Sequence, residues 1–172
     1  MDILFFAKTK EGAKIPSKHQ EDAGYDIYAC IDKDIVIEPH DTVMIPTGLA
    51  TAFSDDYVMI LKERGSTGTK GIAQRCGVID SGFRGEIMVP VTNTTDKRMV
   101  IVSENSYLKT GIMEFGAEKY DEYEDIFYPI SKAIAQAVML PVPKLEVKEI
   151  SLDELRSKES LRGEGMLGSS GK

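Results

Sequence analysis

The feature that most limits the fold of this chain is a series of short, strand-like runs separated by turn residues. β-branched and aromatic residues are concentrated in these runs, and Gly, Pro and Asp lie between them. No long amphipathic helix pattern precedes residue 150. We therefore predict an all-β sandwich or barrel, in which Pro90 indicates an edge strand or a local irregularity. The predicted strands are Ile3–Ala7, Tyr25–Ile31, Ile35–Ile37, Thr42–Pro46, Tyr57–Leu61, Glu86–Asn93, Arg98–Val102 and Ile134–Val142.

Composition excludes several classes of function. A length of 172 residues with 42% hydrophobic and 28% charged residues is typical of one globular domain. The net charge of −7 argues against nucleic-acid binding, which needs clustered cations, but not against a small phosphorylated substrate. Neither a signal sequence nor a membrane-length apolar run is evident, so we expect a cytoplasmic protein without membrane contact. Cys30 and Cys76 form no metal-binding pattern and are expected to be reduced thiols.

Two segments depart from the strand pattern. Residues 103–128 are acidic and aromatic, which is typical of a solvated loop or insertion. An interaction surface is the alternative, since this segment is more aromatic than a linker needs to be; the residues concerned are Tyr120, Tyr123, Phe127 and Tyr128. Near the C-terminus, Ser151 followed by Glu154 predicts a helix start. Residues 162–172 form either a flexible Gly/Ser tail or a phosphate cradle.

Three internal stretches combine glycines with charged or hydroxyl side chains. Asp22–Asp26 places a carboxylate just past a glycine turn, where an Asp commonly satisfies the backbone. Glu63–Gly71 suits either a phosphate site or a simple turn, because glycine lets the backbone approach an anion and Arg binds phosphate bidentately. Its spacing is not that of a Walker loop. Gly77–Glu86 indicates a strand, a tight hairpin and a returning strand, in which Asp80 either caps the hairpin or lies at a pocket rim.

In order and spacing, these stretches resemble the five motifs of the trimeric dUTPase family. The resemblance covers nearly the whole chain, and the third and fifth motifs are the specific ones. The five matches are Asp22–Asp26, Arg64–Gly71, Gly77–Glu86, Ile134–Gln136 and Arg162–Gly171. The resemblance implies a jelly-roll-like β-barrel at residues 1–150, interrupted by an insertion at 103–128. It also implies a homotrimer in which a C-terminal arm, residues 151–172, closes over a neighbouring active site.

The resemblance further implies Mg²⁺-dependent hydrolysis of dUTP to dUMP and pyrophosphate. Asp80 would activate the attacking water, and Asp26 would hold magnesium through water with the help of Gln136. Phe83 would lie under the deoxyribose. The other residues implied to bind the substrate are Arg64, Gly65, Ser66 and Thr67 for the phosphates, Gln74, Gly77, Val78 and Ile79 for uracil, and Arg162, Leu167, Gly168, Ser169 and Ser170 in the arm.

The chain departs from the family pattern at several motif positions. Glu63 stands where the second motif usually has Pro, and Gly65 where it has a Ser hydroxyl. Phe83 replaces the commoner Tyr, residues 131–133 replace Gly-Asp-Arg, and Leu167 replaces a Phe that stacks on uracil. Such stacking is worth about 1–3 kcal/mol in aromatic–base systems. We therefore expect activity with weaker substrate affinity.

Two alternative functions remain open at this point. A dCTP deaminase of the same fold would need a catalytic Glu in the second-motif region, where Glu63 is the candidate. A non-catalytic, nucleotide-binding regulatory domain would leave Asp80 without a role. The insertion at residues 103–128 resembles those of phage-encoded dUTPases, some of which bind regulatory proteins, so it predicts a surface for a regulatory protein partner.

Overall fold

The computed structural model describes residues 3–75, 77–104, 114–115, 118–119, 125–160 and 163. The chain divides into two compact units, Met1–Val142 and Pro143–Lys172. Our predicted boundary, after residue 150, lies inside the second unit. Neither described helix is long and apolar enough to span a membrane.

In the described residues, the first unit is built mainly from short strands, which confirms the predicted all-β class. A single turn of helix, α1, spans Gly65–Gly68. The strands are β1 (Phe5–Lys8), β2 (Gly24–Ile27), β3 (Ile35–Ile37), β4 (Thr42–Pro46), β5 (Leu49–Ala52), β6 (Tyr57–Lys62), β7 (Ile72–Gln74), β8 (Val78–Ile79), β9 (Met88–Asn93), β10 (Arg98–Val102), β11 (Glu114–Phe115), β12 (Glu118–Lys119), β13 (Asp125–Pro129) and β14 (Ala135–Pro141).

The strands form several small sheets in the described part of the chain. The largest has the order β2-β14-β6-β8, and two three-stranded sheets have the orders β4-β9-β7 and β13-β10-β3. Strands β1 and β5 form a fourth sheet, and β11 and β12 a fifth. This arrangement is jelly-roll-like, as predicted, although the sheets do not join into one closed barrel.

The largest hydrophobic core of the described residues lies in the first unit. Alternating residues of facing strands are fully buried, as expected when each strand presents one face to the core. Each such Ile, Val or Met side chain contributes roughly 1.5–3 kcal/mol relative to exposure. The core includes Ile27, Ile37, Ile45, Met59, Leu61, Ile72, Val89, Val91, Met99, Ile101, Tyr128, Ala135 and Ala137.

The segment predicted to be an insertion contributes a core strand. Strand β13 pairs in parallel with β10, so residues 103–124 form the crossover that two parallel neighbours require. The Arg98 guanidinium donates to the buried Asp125 carboxylate at 3.0 and 2.8 Å, which fixes the start of both strands. Tyr128 is 1% exposed, so its predicted part in an interaction surface is wrong. Tyr120 and Tyr123 lie outside the described residues.

Pro90 lies in the middle strand of its sheet, so the predicted edge position is wrong. Strand β9 pairs with β4 on one side and with β7 on the other. The pairing between β9 and β7 ends at Gln74 and Val91, and Pro90 is the neighbour of Val91 on β9. The Arg75 N–H donates to the Pro90 carbonyl at 3.0 Å, so the missing N–H of Pro90 faces Arg75, just past the end of β7, and the ladder stops there.

The predicted hairpin at Gly77–Glu86 is not a pair of hydrogen-bonded arms. Strand β8 pairs with β6, whereas β9 pairs in a different sheet with β4 and β7. The segment is therefore an arch that passes from one sheet to another. A turn lies at its start, where the Phe83 N–H donates to the Asp80 carbonyl at 3.0 Å.

The second unit contains helix α2, which spans Leu152–Arg156. The Ser151 hydroxyl accepts a hydrogen bond from the Glu154 N–H at 3.1 Å, as the capping pattern predicted.

Candidate active site

Strands β2, β14 and β6 place three polar side chains at one end of the largest sheet. Gln136 on β14 lies opposite Asp26 on β2 and opposite Lys62 on β6. Asp26 is further fixed by its N–H, which donates to the Ser17 carbonyl at 2.9 Å. The Gln136 carboxamide packs over Gly24, where an added Cβ would lie 2.5 Å from its Oε1. Gly24 therefore makes room for Gln136.

An ion pair joins Asp26 to Arg64, which follows β6. Arg64 Nε lies 2.9 Å from Asp26 Oδ1, and both side chains are about one-third exposed (33% and 30%). They line a cleft of about 370 Å³ together with Gln136, Gly65 and Ser66 and the glycine turn of residues 22–24. The structure thus brings together residues from the first, second and fourth predicted motifs.

Helix α1 presents its first residues to this cleft, and Thr67 fixes the turn. The Thr67 hydroxyl accepts from the Arg64 N–H and donates to the Arg64 carbonyl, both at 2.9 Å. Its side chain is fully buried, so its described contacts hold the turn rather than face the cleft. Gly65 and Ser66 are exposed, and N–H groups at the start of a helix have no acceptor inside it.

Tyr128 is a neighbour of this cleft that sequence reasoning missed. Its hydroxyl donates to the Ala133 carbonyl at 2.7 Å, and Lys70 Nζ lies 5.8 Å from the centre of its ring. Burial raises the pKa of Tyr128, and the Arg64 charge and hydrogen bonds from the Ser66 and Arg64 side chains partly offset that rise. The Tyr128 hydroxyl therefore lies close to the Arg64 and Ser66 side chains at the start of α1.

We expect Tyr128→Phe to weaken both stability and substrate binding. Without the hydroxyl, buried polar partners lose a hydrogen bond, which costs about 1–3 kcal/mol. Denaturant unfolding should show that loss, and the KM for the substrate should rise several-fold. Tyr28→Phe is the control, because it keeps the ring that Lys14 contacts at 4.8 Å. Equal effects of the two changes would contradict a specific role for the Tyr128 hydroxyl.

A second polar site lies at the start of β8, beside its pairing with β6. The Gly77 carbonyl accepts from the Leu61 N–H at 2.6 Å, and a Cβ on Gly77 would collide with the Leu61 carbonyl. The Gln74 carboxamide lies beside Gly77, and both its Nε2 and its Oε1 are buried without a hydrogen-bond partner among the described residues. Burying such a group unpaired costs about 1–3 kcal/mol, so an added partner would be stabilising.

Asp80 and Phe83 lie on the arch that follows this site. Asp80 is exposed just after β8, and the 42% exposed Phe83 packs its ring against Gly85, where a Cβ would lie 2.7 Å from Cζ. No hydrogen bond or ion pair among the described residues joins Asp80 to Asp26 or Arg64. The arm residues predicted to bind substrate lie outside the described residues; they are Arg162, Leu167, Gly168, Ser169 and Ser170.

A larger cavity of about 680 Å³ lies elsewhere in the first unit. Its lining mixes both charges, with Glu11, Lys14, Asp32 and Lys132 around the Cys30 thiol, whose pKa is raised by burial. None of the predicted site residues lines it. We therefore place the candidate active site at the smaller cleft.

Comparison with known proteins identifies the family of this chain. The model of the dUTPase family matches residues 10–105, a range that contains Asp26, Arg64 and the arch but not Gln136. A deoxyuridine 5'-triphosphate nucleotidohydrolase of Leptospira interrogans is 35% identical over 102 residues, covering 57% of this chain and 70% of the relative. That of Polynucleobacter necessarius is 31% identical over 154 residues, covering 87% and 83%.

A solved structure extends the likeness over the full chain. The dUTPase of Staphylococcus bacteriophage 80alpha with dUPNHPP superposes with a TM-score of 0.73 at 26% identity and covers 99% of both chains. It is described among phage dUTPases that control the transfer of virulence genes by a proto-oncogenic G protein-like mechanism. The present chain belongs to the dUTPase family, whose members are dUTP diphosphatases.

Proposed function

We propose that this chain hydrolyses dUTP to dUMP and pyrophosphate. The observation that carries the proposal is the Asp26–Arg64 pair, held at 2.9 Å in a cleft with Gln136 and beside the exposed start of α1. A cation, unpaired N–H groups and one carboxylate in the same cleft suit a phosphate chain with its counter-ion. Membership of the dUTPase family supports the same reading.

The phosphates would bind at the start of α1. Arg64 offers a planar fork of donors, and Ser66 offers an exposed hydroxyl. The N–H groups of Gly65 and Ser66 point from a turn that Thr67 holds in place. At position 65 the missing hydroxyl removes one donor, although the backbone donor survives.

Uracil would bind where the arch begins. Main-chain groups of Gly77, Val78 and Ile79 would satisfy its polar edge, and the unpartnered Gln74 carboxamide supplies a further donor and acceptor. A base that pairs with Gln74 removes the cost of leaving that group unsatisfied. Phe83 would lie under the deoxyribose.

Asp80 would be the general base. Its carboxylate would take a proton from a water that attacks the α-phosphorus, and the bond from that phosphorus to the bridging oxygen would break as pyrophosphate leaves. This in-line displacement requires positioning and charge stabilisation more than covalent chemistry.

Magnesium fits the donors of the cleft. Mg²⁺ is commonly bound by one or two carboxylates together with substrate phosphates, while it keeps several waters. No group of three or more His, Cys, Asp or Glu among the described residues could hold a metal alone. Asp26 would therefore hold Mg²⁺ through water, and Gln136 would order the surrounding shell. The ion neutralises phosphate charge when bound.

The assembly and the arm complete the proposal. We propose a cytoplasmic homotrimer in which residues 151–172 close over a neighbouring site as a lid, with Arg162, Ser169 and Ser170 on the phosphates. Lids of this kind exclude water and order on substrate binding. Sedimentation of the full chain would measure the number of subunits directly.

Pyrophosphate release from dUTP, dTTP, UTP and dCTP, with and without Mg²⁺, tests the function. We expect rapid pyrophosphate release from dUTP but not from the other three nucleotides. This release should be lost when EDTA removes the metal. Ammonia release from dCTP would instead support a deaminase. Glu63 is the residue that a deaminase would need as its catalytic group. Its carboxylate, however, already accepts a hydrogen bond from the Gln74 N–H at 3.0 Å. Binding of dUTP without turnover would support a regulatory domain.

A regulatory protein partner is a second proposal. It rests on the crossover at residues 103–124, whose two ends are held by buried contacts, and on the regulatory role described for the phage relative. At the exit of β10, the Ser103 N–H and hydroxyl both donate to Asp34 at 2.8 Å. A pull-down with the full chain and with a variant in which a short linker replaces residues 105–124 tests it, since this change leaves core strand β13 in place; capture that persists in the variant would contradict it.

A further inference from the structure

Glu63 lies at the junction of the two candidate subsites. It follows β6 and precedes Arg64, at the position where the dUTPase family usually has Pro. Its side chain is 30% exposed, and its Oε2 lies 3.4 Å from Lys62 Nζ. The start of its side-chain stem faces α1, where a Cβ added at Gly68 would lie 4.0 Å from the Glu63 Cβ. Glu63 thus lies directly beside the turn that is proposed to bind the phosphates.

The carboxylate also holds the strand that leads to the uracil site. Strand β7 is an edge strand, paired with β9 alone, and its outward N–H groups need acceptors. Glu63 Oε1 accepts from the Gln74 N–H at 3.0 Å. The carboxamide of that same Gln74 is the unpartnered group beside Gly77. The Glu63 contact therefore sets where this carboxamide lies.

The backbone of Glu63 completes a third connection. Its carbonyl accepts from Gln136 Nε2 at 2.8 Å, which orients the Gln136 carboxamide over the Asp26 side of the cleft. Hydrogen bonding from its own N–H, together with that from the Gln74 N–H and the Lys62 charge, lowers the pKa of Glu63, although burial opposes this. The side chain is therefore an anion at neutral pH and a strong acceptor.

We infer that Glu63 is a positioning residue that couples the uracil subsite at Gln74 to the phosphate subsite at Arg64. The inference rests on the proposed function for the identity of the two ligands. A proline at this position has no side-chain acceptor for the Gln74 N–H. The substitution in this chain therefore adds a link between subsites that the usual family motif does not contain.

Separate binding measurements on the two halves of the substrate test the coupling. Isothermal titration of the full chain with deoxyuridine probes the uracil subsite, and titration with pyrophosphate and Mg²⁺ probes the phosphate subsite. We expect Glu63→Ala to weaken both about tenfold, the scale of a lost charge-assisted hydrogen bond. Glu63→Gln keeps an acceptor and should restore both to within about threefold. With dUTP, KM should rise while kcat stays nearly constant.

Glu38→Ala is the matched control, because it makes the same chemical change at an exposed position outside both subsites and should leave both affinities unchanged. If Glu63→Ala changes neither affinity, or only one of them, the coupling is disproved. If that variant does not fold, Glu63→Met, which keeps the stem against Gly68, is titrated in its place with the same two outcomes. Binding is measured without turnover, so a wild type that fails to hydrolyse dUTP refutes the proposed function and leaves this test intact.

Discussion

Replacing Asp80 by Asn is expected to lower kcat for dUTP about 10²–10⁴-fold, the usual contribution of a positioned general base. Asn has nearly the same shape but cannot accept a proton from the attacking water. Asp80 is exposed at the start of the arch and forms no ion pair among the described residues. The fold should therefore tolerate the change. Pyrophosphate release gives kcat, and titration with a non-hydrolysable dUTP analogue should give a Kd close to that of wild type.

Asp41→Asn is the control for this prediction, since it makes the same chemical change at an exposed position in the turn before β4. It should leave both kcat and Kd unaltered. Retention of more than about a tenth of the wild-type kcat by Asp80→Asn would contradict the role of Asp80 as general base. A large loss of analogue binding would instead assign Asp80 to substrate recognition.

The strands that the sequence predicts best are those with a strong β-type composition and clear turns at both ends. Strands β3, β4 and β10 begin and end at the predicted residues. Strands β5 and β7 were missed because they are short and rich in small or polar residues. Strand β13 was missed because its neighbours are acidic. Its pairing with β10 depends on a parallel crossover, which local patterns do not reveal.

The residues of the cleft were predicted from motif order, whereas their supports were not. Asp26, Arg64 and Gln136 were expected to act together, and they line one cleft. Glu63 was considered as a departure from the motif and as the candidate of a deaminase, and Tyr128 only as a surface aromatic. Both contact the site through pairings between distant parts of the chain, so only the fold places them there. The arch at Gly77–Glu86 was mistaken for a hairpin because turn signals do not specify which sheet receives each arm.

Replacing Arg64 by Ala is expected to lower kcat/KM for dUTP about hundredfold. Truncating one member of a buried, hydrogen-bonded charge pair commonly costs about 2–5 kcal/mol, and a loss near the lower end of that range is expected because Arg64 is partly exposed. The change removes the phosphate fork and also leaves Asp26 without its partner at 2.9 Å. Arg64→Lys keeps the charge but not the fork, so a loss of about tenfold is expected. Steady-state kinetics on dUTP measures both variants.

The affinities of Arg64→Ala for two partial ligands distinguish a loss of phosphate binding from a general loss of structure. Deoxyuridine has no phosphate, so its affinity should be nearly unchanged in Arg64→Ala, whereas pyrophosphate affinity should fall. Lys33→Ala, which removes one positive charge from an exposed turn, should change neither. Equal losses for deoxyuridine and pyrophosphate would mean that Arg64 maintains the cleft as a whole, because a group that acts on phosphate alone cannot weaken a ligand without one.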